Sequence, residues 1–360
     1  MKPLSGLRIL EFDGLGPVTF AGMVLADLGA DVLRLTRGAS AGAPVFADVG
    51  GGILHRGRSS LAVNLKDAGD RTRVLDLIAA ADGLIEGFRP GVMERLGLGP
   101  EDCAARNPRL VYGRVTGWGQ TGPKAGEVGH DINYIALSGT LHAMGEPDRP
   151  PRPPLNLIGD YGGGAMMLVT GVLAGLIEAR RTGAGRVVDA AMTDGSALLM
   201  SLFHALGARG LWSDARGANL LDGGAPFYRC FACRDGRFVA VGALEPQFYS
   251  ALLTGLGLGE AEAPQYDTAK WPALHARLEA VFATRDRDDW AARFEGTDAC
   301  VTPVLSLAEA PGHPHNAARN TFVGSGGIQP APAPRFGGSE PRPEPEGAAM
   351  TFDGALARWR

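Results

Sequence analysis

Leu7-Arg8-Ile9-Leu10-Glu11-Phe12, then Asp13-Gly14-Leu15-Gly16-Pro17, then the run from Thr19 to Leu28, then Gly29-Ala30 and Asp31-Val32-Leu33-Arg34-Leu35: this stretch decides the fold. Its first six residues read as a strand and the next five as a turn. Phe20, Met23, Val24 and Leu28 recur at helical spacing, and Gly29-Ala30 ends that helix. The apolar residues after Asp31 form a second strand. Strand, helix and strand of this size make a βαβ unit.

The alternation continues outward. Ser60 to Leu65 reads as a strand with Lys66 beside it, Asp70 to Ala80 as a helix, and Gly83 to Glu86 as a strand. Phe88-Arg89-Pro90-Gly91 is a turn, and Leu110 to Val115 and Gly185 to Ala190 are further strands. Strands alternating with helices call for a parallel sheet covered on both faces. Gly14-x-Gly16 could begin a dinucleotide fingerprint, but Thr19 stands where the third glycine belongs. The acidic residue that would hold an NAD ribose is also missing at the end of the second strand. Arg34 and Arg37 stand there instead, which suits a phosphate better than a bare ribose.

After Asp194 the pattern turns helical, from Ser196 to about Leu211. Phe227 to Val241 reads as a hairpin opening a second unit, with helical stretches Phe248–Leu256, Ala273–Ala283 and Asp288–Phe294. Gln329 to Glu346 is Pro-rich and expected to run extended over the surface. Met350-Thr351-Phe352 and Leu356 to Trp359 would then return to the first domain.

Composition narrows the function classes. The chain has 360 residues, enough for about two domains, and 45% are hydrophobic. A net charge of −4 with interspersed signs gives no general basic field for nucleic acid. Leu7 to Leu10 is too short for a signal-peptide core. The apolar run Gly162 to Ile177 is Gly-rich and short of the ~20 residues of a membrane span, so a buried core helix is expected. Four cysteines in so long a chain point to a reducing compartment. The lone Cys230-Phe231-Ala232-Cys233 has no second CxxC, and its cysteines, three apart on a strand, would face opposite ways. His313-Pro314-His315 lacks a matching carboxylate or Cys cluster, so no metal is expected. Met144, Met166, Met167, Met192 and Met200 read mostly as core.

Two stretches carry candidate chemistry: Gly129-His130-Asp131-Ile132-Asn133-Tyr134 and Asn156-Leu157-Ile158-Gly159-Asp160-Tyr161-Gly162-Gly163-Gly164. Each puts an ionisable side chain at a Gly-marked entry to an apolar run, with Asp131 as a candidate N-cap. A His, a carboxylate and aimed backbone N–H groups are what proton removal beside a carbonyl requires, because the enolate oxygen must be stabilised. By position alone, His130 could be a helix-start histidine, Asp160 a loop carboxylate, and Glu245 an acidic residue ahead of Pro246.

Ordered motifs bear on that choice. Leu4-Ser5-Gly6-Leu7-Arg8-Ile9-Leu10-Glu11, Ala26-Asp27-Leu28-Gly29-Ala30-Asp31-Val32, Glu86-Gly87-Phe88-Arg89-Pro90-Gly91 and Gly117-Trp118-Gly119-Gln120-Thr121-Gly122-Pro123 resemble the family III CoA-transferase superfamily. Gly129 to Tyr134, Asn156 to Asp160 and Gly242-Ala243-Leu244-Glu245-Pro246-Gln247-Phe248-Tyr249 resemble its 2-methylacyl-CoA racemase branch. The likeness runs from residue 4 to about residue 336, and Gly16-Pro17-Val18-Thr19 departs from the usual Gly-Pro-Gly-Pro type of loop.

The resemblance implies an α/β fold: a Rossmann-like large domain with a parallel sheet (1–190 and 325–360) and a smaller α+β domain (225–312). Residues 191–224 form a helical linker and 313–324 a return linker. It implies an interlocked homodimer, an acyl-CoA substrate, and inversion at the α-carbon by 1,1-proton transfer without a cofactor. His130 and Asp160 fall on the proton-transfer positions, Glu245 on the residue supporting the histidine, and the Asp131 N–H on the oxyanion donor. Arg37, Lys66 and Arg89, each following a strand, fall on CoA contacts. The alternative within the superfamily is a CoA transferase using Asp160 as nucleophile, which generally lacks a histidine at the His130 position. The chain end Ala357-Arg358-Trp359-Arg360 is no Ser-Lys-Leu-type address, so the cytoplasm is the expected location.

Overall fold

The computed structural model describes residues 1–37, 50–259, 263–324, 327–337, 340 and 342–359. Arg360, part of the chain-end reading, lies outside the described residues, as does some of the Pro-rich run. Strands are numbered in chain order: β1 Arg8–Phe12, β2 Asp31–Thr36, β3 Ser59–Ala62, β4 Gly83–Glu86, β5 Val111–Thr116, β6 Val187–Ala191, β7 Tyr228–Ala232, β8 Phe238–Gly242, β9 Val301–Pro303, β10 Phe322–Val323, β11 Gln329–Pro330 and β12 Ala349–Met350. Contacts divide the chain into two compact units, one of Met1–Thr140, Pro154–Ser201 and His315–Arg360, the other of Leu141–Pro153 and Leu202–Pro314.

The first unit is the expected α/β layer. Among the described residues its seven strands run β12-β3-β2-β1-β4-β5-β6, every neighbouring pair parallel. Parallel strands need covering on both faces, and β4 and β5 are buried along their whole length. Successive residues of β1 feed opposite layers. Ile9 packs with Leu25, Leu168 and Val172 on one face, and Leu10 with Val74, Leu77 and Trp359 on the other. Each such side chain contributes about 1.5–3 kcal/mol by leaving water. The chain runs outward from β1 through β2 to β3, then returns to β4 on the other side of β1. That reversal is where open α/β sheets bind ligands, at the carboxyl ends of the strands.

The apolar run read as a core helix is part of a helix spanning Leu157–Thr182. It is long and apolar enough to cross a membrane, yet its Leu168, Val169, Val172, Leu176 and Ala179 pack into the first core layer. The last residues return to this unit as read. Met350 pairs with Leu61, and the helix Phe352–Trp359 seats a buried Trp359 whose Nε1–H donates to Asp31 Oδ2 at 3.0 Å.

Residues 191–201, read as linker, group with the first unit, because the helix Met192–Leu199 packs on the segment Leu157–Ala165. The expected helix from Ser196 to Leu211 begins earlier, at Met192, pauses at Met200 and ends at Ala208. At the pause the Ser201 hydroxyl bonds the Leu198 carbonyl, offering the backbone an alternative to an unbroken helix. The second unit holds the antiparallel sheet β7-β8-β9 and the helices Pro246–Leu256, Trp271–Phe282 and Arg287–Phe294 around Phe227, Phe231, Val239, Leu278 and Trp290. Cys230 is exposed and Cys233 buried, and neither is in a disulfide.

Candidate active site

The site residues of the first unit sit on two segments joined by one carboxylate. His130 is extended (φ −134°, ψ 173°) and caps the helix Asp131–Leu137. Its backbone N–H donates to Asn133 Oδ1 at 3.0 Å, so Asn133 closes the helix start from inside. The sequence reading gave the cap position to Asp131. Asp131 instead occupies the first helical turn, because its side chain is used elsewhere. Its Oδ1 accepts the N–H of Asp160 at 2.6 Å, and the nearby Gly159 N–H also favours its charged form. As the first helical residue, Asp131 keeps an N–H with no carbonyl one turn back, one of the orphan donors of any helix start.

Asp160 belongs to a nine-residue π-helical segment, Leu157–Ala165, that runs directly into the helix Met166–Thr182. Such wide turns are rare and concentrate at functional sites. Glycines permit this one to be approached closely from three directions. A Cβ on Gly159 would lie 2.5 Å from Asp131 Oδ1, and one on Gly16 (φ +70°) 3.0 Å from Asp160 Oδ2. At Gly195 a Cβ would come within 1.9 Å of the Gly163 carbonyl oxygen. Tyr161 stacks on Phe20 with centroids 4.2 Å apart, fastening the turn to the helix Pro17–Asp27 that follows β1.

The Gly163–Gly195 crossing yields a prediction. Gly195→Ala is expected to cost about 3 kcal/mol, the upper end of the usual overpacking range, because the opposing atoms are backbone and cannot swing aside. Urea unfolding reads this directly. A variant as stable as the parent would show that the two backbones do not meet as closely.

Electrostatics make Asp160 easier to protonate than an ordinary carboxyl. Burial pushes its carboxyl above the ordinary range, and the nearby Asp131 charge adds to the rise, while the Asn156 amide (Nδ2 to Oδ2, 3.2 Å) and His130 oppose it. Asp131 is raised too, again mainly by burial, with its backbone hydrogen bonds opposing. Burial also raises Tyr134, whose hydroxyl donates to the Gly129 carbonyl just ahead of His130. The site therefore offers an exposed imidazole and a half-buried carboxyl that is easier to protonate than usual.

Arg37, Lys66 and Arg89 are exposed and follow β2, β3 and β4, at the carboxyl edge of the sheet that also holds Gly16 and Asp160. Glu245 lies in the second unit, exposed, as the N-cap of Pro246–Leu256. Arg34 corrects its sequence reading. It is buried against Asp13 at 2.8 Å, Glu346 at 3.4 Å and Glu11 at 3.8 Å, so its charge is committed inside the protein and not offered to a phosphate.

Residues 4–339 match the profile of CoA-transferase family III. The chain belongs to that family. It is 47% identical to the alpha-methylacyl-CoA racemase of Mus musculus, over 92% of this chain and 85% of the mouse protein. With the alpha-methylacyl-CoA racemase of Homo sapiens it is 44% identical, over 92% of this chain and 86% of the human one. A solved CAIB/BAIF family protein from Brucella suis superposes with a TM-score of 0.81 at 27% identity, covering 99% of this chain and 98% of that one.

The structure also shows residues whose role the sequence reading passed over. Glu86, fully buried at the end of β4, accepts the Phe88 N–H at 2.6 Å and the Arg114 Nε–H at 2.8 Å. Arg114 in turn holds Glu94 at 2.7 Å. Together they brace the turn that carries Arg89. Their signal was an ionisable residue inside an apolar strand, which is costly unless paired. Asn156 lay within a quoted motif, but its hold on Asp160 depends on the turn geometry.

Proposed function

We propose that this family III protein is a racemase that inverts the α-carbon of 2-methylacyl-CoA thioesters by 1,1-proton transfer. The observation that carries this reading is His130 beside a half-buried Asp160 whose burial favours the protonated acid. Inversion requires one proton carrier on each face of a planar intermediate. In one direction the neutral imidazole of His130 takes the α-proton, and the C–H electron pair moves into the enolate. The Asp131 N–H stabilises the new oxyanion, a kind of interaction worth about 2.7–4 kcal/mol where such donors have been removed. Asp160 then delivers its proton to the opposite face, and the enolate pair becomes the new C–H bond. The reverse direction exchanges the roles, and each carrier supplies a factor of about 10²–10⁴.

The CoA moiety enters as part of the substrate, with Arg37, Lys66 and Arg89 as its contacts; no further cofactor takes part in this scheme. Glu245 would orient His130 within a homodimer, each site drawing on both subunits. The name shared by the mouse and human relatives supports the racemase over the transferase alternative, and so does a histidine at position 130.

The test incubates one stereoisomer of a 2-methylacyl-CoA with the protein in heavy water. Deuterium gain with loss of configuration is expected. No exchange, together with CoA transfer to an added carboxylate that depends on Asp160, would overturn the racemase in favour of a transferase.

A further inference from the structure

Two proton carriers flanking one carbon must keep a fixed separation, and in this structure a single side chain spans them. His130 is attached through the backbone to Asp131, and the N–H of Asp160 hangs from the Asp131 carboxylate at 2.6 Å. Asp131 is only 8% exposed, and its second oxygen, Oδ2, is buried with no hydrogen-bond partner among the described residues. A carboxylate used only as a structural brace would be expected to have both oxygens paired, since an unpaired buried oxygen costs about 1–3 kcal/mol or more. Gly159 is what lets the carboxylate come this close to the π-helical turn.

We infer that the Asp131 side chain is a positioning residue, setting the spacing of His130 and Asp160 through its hydrogen bond and the proton affinity of Asp160 through its charge. This inference rests on the proposed proton-transfer roles and adds to the Asp131 backbone N–H a separate task for its carboxylate. The groups acting on Asp160 are His130, Asp131, Tyr134 and the amide of Asn156. Among the described residues the loop before the helix Pro17–Asp27 brings Gly16 against it, Tyr161 is stacked away on Phe20, and Met192–Leu199 meets the turn through Met192, Gly195, Ser196 and Leu199, none of them charged. Asp131 is the only other carboxylate in that set, and a negative charge beside Asp160 favours its protonated form.

Two variants separate the two tasks. Asp131→Asn keeps an oxygen for the Asp160 N–H and removes the charge; Asp131→Ala removes both. Proton transfer in either direction needs the His130–Asp160 pair to hold one proton, so kcat/KM follows a bell whose limbs belong to the pair. In Asp131→Asn the acid limb is expected at lower pH, with kcat reduced less than in Asp131→Ala. In Asp131→Ala kcat is expected to fall about 10²-fold, the scale of a misplaced catalytic group, with a smaller change in KM. A wild-type limb in Asp131→Asn, or wild-type kcat in Asp131→Ala, would overturn the inference. Should Asp131→Ala fail to fold, the Asn profile decides. Titration of 13C-labelled aspartate carboxyls by NMR reads Asp160 directly, whatever reaction the protein performs, and should show it titrating lower in Asp131→Asn. Absent exchange in the wild type would thus count against the racemase alone, and an unmoved Asp160 signal against this inference alone.

Discussion

Asp160→Asn is expected to stop racemisation while leaving α-proton exchange alive for one substrate enantiomer only. The amide neither takes nor gives a proton, so the net inversion loses at least the ~10²–10⁴-fold contribution of a general acid–base group. His130 is untouched, and for the enantiomer whose α-proton faces it, removal and return on the same face need no second carrier. That enantiomer should gain deuterium with retained configuration. His130→Gln should show the mirror behaviour, exchanging the other enantiomer through Asp160. Chiral chromatography combined with mass spectrometry separates the four cases. Equal loss of exchange for both enantiomers in each variant would count against carriers on opposite faces. Transfer activity lost in Asp160→Asn but normal in His130→Gln would instead mark a nucleophilic aspartate.

The second large effect is on stability. Arg58 and Glu11 are both 0% exposed and ion-paired beneath the helix Pro17–Asp27. Gly22 makes room for them, since a Cβ there would lie 2.0 Å from Glu11 Oε2. Removing one partner of a buried pair strands the other charge and typically costs about 3–5 kcal/mol, so Arg58→Met should lower Tm sharply. The pH dependence has a definite sign. Burial already raises the Glu11 carboxyl against the opposing pull of Arg58 and Arg34. A carboxyl with a raised folded pKa loses stabilisation as pH rises through that value, because the folded state then holds a charge it disfavours. Without Arg58 the rise is greater, so the deficit is largest near neutral pH and shrinks as acidification protonates Glu11. The double change Glu11→Leu with Arg58→Met should recover most of the loss. A single variant within about 1 kcal/mol of the parent, well below that range, would refute the buried-pair account.

Much of the large unit was legible because fully buried parallel strands are short apolar runs bounded by Gly and Asp. Gly83–Glu86 was read at its true limits, and the helix after Gly16 to within two residues. The stretches around His130 and Asp160 stood out for a similar local reason: glycines beside ionisable groups. What joins them did not. The Asp131–Asp160 bond spans 29 residues and leaves no periodic trace in the chain, so Asp131 was read as capping its own helix. Arg34 misled for the same reason, since its partners Asp13 and Glu346 are distant in sequence and its neighbours alone suggested an open cation. The π-helical register was equally hidden, because it depends on glycines that let other backbones in.

The sheet of the first unit places its earliest strand, β1, at the centre and its last, β12, at the edge, with residues 202–314 set aside in the second unit. During synthesis, then, the second unit's main segment can emerge and collapse as one continuous piece while the first waits. Until residues 349–359 leave the ribosome, β3 has a bare flank and the Trp359 seat beside Leu10 and Leu77 stays empty. A nascent chain stalled before that point carries an unpaired strand edge, the kind of surface chaperones shield and other chains add to. Residues 349–359 act as the latch on a sheet whose central strand, β1, precedes them by more than three hundred residues.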